Sequence, residues 1–144
     1  MADTSVPARP AGLAPSAGKI VVGLLGAAAV SIVVNTLIAL LAGAFILADA
    51  PRTGLALAEH APAAVLGILL GTLGWYLVRR SARSPRRVLR VLVPAVVVLS
   101  WIPDLGILAA GATAVNSLAL MAMHTVVAAA AVPVLTRVLP IGTS

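Results

Sequence analysis

The chain has 144 residues, of which 61% are hydrophobic and 10% charged, and ten Lys or Arg against four acids give a net charge of +6. A soluble domain carries about 25% charged residues, so this composition excludes an ordinary water-soluble fold, and the length suits one compact unit rather than two domains. There is no cysteine, which excludes disulfides, thiol chemistry, iron–sulfur clusters and cysteine-ligated zinc.

Taken in chain order, residues 1–18 are rich in Pro, Ala, Gly and Ser without an apolar period, and are expected to form a disordered tail. Four apolar blocks follow, at 20–48, 61–78, 88–102 and 112–136, with Arg90 as their single charged residue. Hydrocarbon admits only backbone that satisfies its own hydrogen bonds, so each block reads as a membrane-spanning helix. The fold expected is all-α: one four-helix integral membrane bundle over 19–139, up-down in topology, with a short tail at 140–144.

The first block ends near Ala48-Asp49-Ala50, which has the look of a signal-peptide cleavage site. Signal cores run to about 15 residues at most and this run is far longer, so an uncleaved first helix is expected. At ~1.5 Å per residue it would reach ~43 Å against a hydrocarbon core of ~30 Å, and must tilt or project. In the third block Pro94 is expected to kink the helix, and Pro103-Asp104 to end it, leaving 104–111 as a connection.

Cations set the expected orientation. Arg9 and Lys19 precede the first helix, Arg79, Arg80, Arg83, Arg86, Arg87 and Arg90 fill the second connection, and Arg137 follows the fourth helix. Arg52 alone falls on the other side, with Asp49, Glu59 and Asp104. The positive-inside rule then puts both termini and the arginine loop in the cytoplasm. Trp75 and Tyr76 near one interface, Phe45 and Trp101 near the other, fit aromatic belts. The arginine loop reads as a topology determinant that meets anionic lipid headgroups; without interleaved aromatics it does not read as a nucleic-acid site.

Small residues mark the faces that pack. Gly67, Gly71 and Gly74 line one face of the second helix, as a bundle seam or as an interface with a second copy or another membrane protein. The first helix aligns Ala28, Ser31, Asn35, Ala39 and Ala42; the fourth aligns Thr113, Ser117, His124, Ala128 and Ala131. Counted from Lys19 and Arg137, Asn35 and His124 lie ~24 and ~20 Å deep. First and last helices of such a bundle are neighbours, so Asn35 and His124 are expected to meet, with Ser31, Ser117 and Thr36 close by.

Two readings of that cluster stand. As structural glue, an interhelical hydrogen bond contributes about 0.6 kcal/mol. As a site, an ionisable group at membrane depth marks a path for protons or small solutes. No catalytic residue, metal or cofactor is expected. His60 beside Glu59 sits in a connection, and two histidines do not make a metal site. An intramembrane enzyme would need a carboxylate such as Asp104 within reach of His124, and the counted depths place Asp104 at the outer surface. The leading expectation is a non-enzymatic structural or accessory bundle; the alternative is a small oligomeric transporter or channel subunit.

Gly74-Trp75, the arginine loop, Ala119-Leu120-Met121-Ala122-Met123-His124 and Val132-Pro133-Val134-Leu135, with Asn35 in the first helix, carry a likeness. On these residues the stretch 19–139 resembles a family of uncharacterised small integral membrane proteins of actinobacteria. The resemblance implies a four-helix membrane protein and brings no activity with it.

Overall fold

The structure, a computed structural model, describes residues 16–141. Five helical segments follow one another: α1 (Ala17–Phe45), α2 (Leu57–Ser81), α3 (Pro85–Ser100), α4 (Ile102–Ala109) and α5 (Ala114–Val138). No strand occurs among the described residues. α3 and α4 form one span, Pro85–Ala109, so that four helices are long and apolar enough to cross a membrane. The tail expected over 1–18 lies outside the described residues as far as position 15, and Ala17 and Gly18 already belong to α1.

Local chemistry explains most of the helix ends. Thr113 caps α5, its hydroxyl oxygen accepting from the Asn116 N–H at 3.1 Å. α2 starts earlier than its apolar block because the Glu59 carboxylate accepts from the Ala56 N–H at 3.1 Å, which adds a turn before Pro62. Pro85 opens α3, where its missing N–H costs nothing.

The third span departs from expectation. Ile102-Pro103-Asp104 does not end the helix; it restarts one after a single residue, Trp101, whose φ of −81° and ψ of −14° remain helical. Proline in a first turn and an acid beside it are also the signature of a helix start. Asp104 therefore sits within a span instead of in a connection.

α5 is the centre of the bundle. It packs most extensively on α1 and also touches α2, α3 and α4, whereas α1 does not reach α3 or α4, and α2 does not reach α4. The approach of α1 to α5 depends on Gly23, where an added Cβ would lie 2.9 Å from Val134 Cγ1 and 3.2 Å from Val138 Cγ1. Valine is stiff at χ1 and cannot swing clear. Gly23→Ala is therefore expected to cost about 1–3 kcal/mol of unfolding free energy in mixed micelles. Gly26→Ala, which meets nothing within 4 Å, should cost nothing; equal losses in both would refute a close α1–α5 contact.

Two apolar clusters fill the interior. One, at the arginine end, joins Ala27, Ile68, Trp75, Leu89, Ala131 and Leu135. The other, at the distal end, joins Ala42, Ile46, Leu55, Ala119, Leu120 and Met123. Trp75 is not a belt residue facing lipid: its indole is 4% exposed and donates to the Leu139 carbonyl at 3.1 Å. Outside, large apolar side chains such as Val22, Leu40, Leu70, Val91 and Leu118 are exposed on every span, a surface suited to lipid.

The connection 46–56 folds back over the distal end. Ile46 and Leu55 are buried in the distal cluster, and Asn116, itself fully buried, donates to the Thr53 carbonyl at 3.0 Å. Gly54 makes the turn with φ of +80°. This fold-back lowers the start of α2, so that His60 in its first turn meets Thr36 of α1 at 3.2 Å. Thr36 lies nine residues before Phe45, or ~14 Å along the helix.

A candidate ligand-binding cleft

Because α2 and α4 do not touch, a cleft opens between α2, the third span and α5. Its volume is about 540 Å³. Trp75, Leu89 and Leu135 line its arginine end; Val93, Val97 and Val127 line its sides. Gly67, Gly71 and Gly74 also line it. An added Cβ at Gly71 or Gly74 meets nothing within 4 Å, and at Gly67 only Val127 Cγ1 at 3.7 Å. The glycine face is thus not a tight seam of this bundle: it widens the cleft.

The polar side chains gather at one level of the cleft, between the two apolar clusters. Asn35, Glu59, His60, Ser100, Asp104 and His124 all line it. Asn35 comes from α1 because its face of small residues, with Ser31 and Ala42, turns inward. Asp104 comes from the first turn of α4 and is 3% exposed; His124 comes from α5. The two approach at 3.4 Å, from Asp104 Oδ2 to His124 Nε2, with the His124 side chain 42% exposed.

The expected pairing of Asn35 with His124 does not form. No hydrogen bond joins them among the described residues; His124 faces Asp104, and Asn35 keeps an unpartnered, buried Oδ1. The depth count failed for Asp104 because it took Pro103 as a helix end. His60, expected in a connection, is 5% exposed inside the bundle and bound to Thr36. Ser31 and Ser117 are fully buried with unpartnered hydroxyls, and neither lines the cleft.

Thr36 fixes the His60 tautomer. Its hydroxyl lies 2.8 Å from the Ile32 carbonyl, which can only accept, so the hydroxyl proton points there. His60 Nε2 must then donate to Thr36, leaving Nδ1 as a bare acceptor, buried and without a partner. The Ser100 hydroxyl likewise donates to its own helix, at the Val97 carbonyl, 2.7 Å away.

The six arginines of the second connection and its flanks, Arg79, Arg80, Arg83, Arg86, Arg87 and Arg90, are exposed at one end of the bundle, away from this polar level. Arg80 donates to Tyr76 Oη at 3.0 Å, and Arg86 reaches the Ile141 carbonyl at 3.5 Å. Among the described residues, no three His, Asp or Glu side chains come close enough to hold a metal ion.

Sequence reasoning missed Asp104, His60 and Asn116 as interior polar groups. The signal for Asp104 was present in Ile102-Pro103-Asp104, which reads as a helix start as readily as a stop. His60 had no local signal, since its depth depends on a connection folding back.

Four apolar spans around one cleft define a small polytopic membrane protein. Residues 12–140 match the family of unknown function DUF6069, and the chain belongs to that family. No curated protein and no solved structure matches it.

Proposed function

We propose that this chain is a non-enzymatic binding bundle of a bacterial plasma membrane that takes one small amphipathic molecule into the cleft. The observation that carries the reading is the cleft itself: about 540 Å³, apolar along its sides, with buried polar groups at one level. Pockets for small molecules measure about 300–1,000 Å³ and have this pattern of apolar wall and few polar groups. The second reading, a transport subunit, is favoured by one observation: Asn35 and His124 both line the cleft. Asp104 does lie within 3.4 Å of His124, the contact that an intramembrane enzyme would need, but catalysis is not part of the proposal. The Asp104–His124 pair has no free nucleophile beside it, since the Ser100 hydroxyl is turned into its own helix.

The test uses fluorescence. The chain has two tryptophans, so Trp101→Phe leaves Trp75, at the arginine end of the cleft, as the sole reporter. In nanodiscs, a brominated amphiphile should quench Trp75 along a saturable curve. Quenching that rises linearly, without saturation, would sink the proposal.

In the same proposal both termini and the arginine loop face the cytoplasm, where anionic lipid meets Arg79, Arg80, Arg83, Arg86, Arg87 and Arg90. The absence of native cysteine makes this simple to check. In intact cells Asp49→Cys should react with an impermeant maleimide, and Ser84→Cys only after permeabilisation. The reverse pattern would invert the orientation.

A further inference from the structure

We infer that the molecule held in the cleft carries a protonated amine at its polar end, received by Asp104 and Glu59; the inference rests on the binding role proposed above. Of the side chains that line the cleft, none is Lys or Arg and two are carboxylates. Glu59 is exposed, at the start of α2, while Asp104 lies inside with its side chain 4% exposed. The route inward therefore passes one carboxylate and ends at another.

Hydrogen-bond accounting points the same way. Asp104 Oδ2, His60 Nδ1 and Asn35 Oδ1 are buried without a hydrogen-bond partner. All three accept: the first as a carboxylate oxygen, the second by the tautomer that Thr36 imposes, the third as an amide oxygen. The Ser100 hydroxyl donates to the Val97 carbonyl and can only accept further. A buried polar atom without a partner costs about 1–3 kcal/mol, and more where it is charged. His124 Nε2 stands 3.4 Å from Asp104 Oδ2, a long contact that leaves the carboxylate with capacity for a further donor.

An ammonium group supplies N–H donors and a positive charge, both of which the Asp104 carboxylate can receive. A carboxylate or phosphate head would instead meet two carboxylates and a set of acceptors. Among the described residues no three acidic or histidine side chains come close enough to hold a bare metal ion, so the charge is received by single carboxylates. The apolar sides of the cleft require the rest of the guest to be hydrocarbon. These features together select a lipophilic primary or secondary amine.

The experiment uses the full chain with Trp101→Phe in nanodiscs of zwitterionic lipid. Three amphiphiles with one tail and different heads, an ammonium, an alcohol and a carboxylate, compete with the brominated probe for Trp75. The ammonium should displace the probe at about tenfold lower concentration than the alcohol, the margin of one charge-assisted hydrogen bond, with the carboxylate weakest. Asp104→Asn should bring ammonium and alcohol within about twofold, and Glu59→Gln should narrow the gap less. Saturable probe binding by each variant shows that its cleft is formed. An alcohol or carboxylate that competes as well as the ammonium overturns the inference while leaving the binding role intact, as does a tenfold preference that survives Asp104→Asn. Failure of the probe itself to saturate overturns both.

Discussion

Gly71→Leu is expected to abolish saturable quenching of Trp75 while leaving the bundle folded. An added Cβ at Gly71 has nothing within 4 Å, so four new carbon atoms enter the space of the cleft rather than the body of a neighbour. Glycine inside a helix is about 0.8–1.0 kcal/mol less favourable than a good helix former, so the unfolding free energy should hold or rise slightly. A tight seam behaves in the opposite way, since overpacking typically costs about 1–3 kcal/mol. Measured together, unfolding in mixed micelles and probe titration separate the two cases. Stability lost along with binding would mean that the glycines support a helix contact, in this chain or with a second copy; chemical cross-linking would identify the copy. Stability kept along with full binding would mean that the guest lies elsewhere.

Gly54→Ala should be among the most destabilising single substitutions in the chain, at about 3 kcal/mol, from a backbone cost of roughly 1–2 and an overpacking cost of similar size. The position holds φ of +80°, and a Cβ there would lie 2.7 Å from Leu120 Cδ2. Leu120 is 8% exposed in the distal cluster, so it must give way by turning toward the cleft that it also lines. Gly111 isolates the backbone part: its φ is +102° with nothing within 4 Å of an added Cβ. The difference between Gly54→Ala and Gly111→Ala should therefore report the collision alone. A larger consequence concerns the site. Residues 46–56 hold α2 at its depth through Leu55 and the Asn116–Thr53 bond, and that depth brings His60 to Thr36. Gly54→Ala should thus weaken binding in the cleft, whose wall Gly54 itself joins at the distal end. Equal cost for the two glycine substitutions would show that the connection does not press on Leu120.

Much of the architecture follows from local features of the chain. α1, α2 and α5 lie within a few residues of their apolar blocks, because in hydrocarbon the helix is the one structure in which a single segment satisfies all its own backbone hydrogen bonds. The inward face of α1 was legible as well: Ser31, Asn35 and Ala42 are buried, as a stripe of small and polar residues requires. Trp75 marks the limit of such reading. An indole near the end of a span suits an interface belt and a capped interior equally, and the free Leu139 carbonyl beyond α5 decided for the interior.

The candidate site was legible only in part. Asn35 and His124 could be named from depth and residue type, and both line the cleft. Their partners could not. His124 faces Asp104 because Ile102-Pro103-Asp104 restarts a helix, and His60 faces Thr36 because a connection folds back over α5.

By itself, then, the amino-acid sequence determined four apolar helical spans, the face that α1 buries, and the cluster of arginines at one end. Each of these depends on hydropathy, periodicity or charge within a segment, and such local terms are large wherever a backbone must live without water. Tertiary structure alone decided that α2 stands away from α4, that glycines face a cleft instead of a helix, and that His60 lies inside. Those outcomes depend on which helices touch and on how far one connection descends. They rest on contacts between residues distant in the chain, such as Asn116 with Thr53, for which no periodicity in the sequence exists.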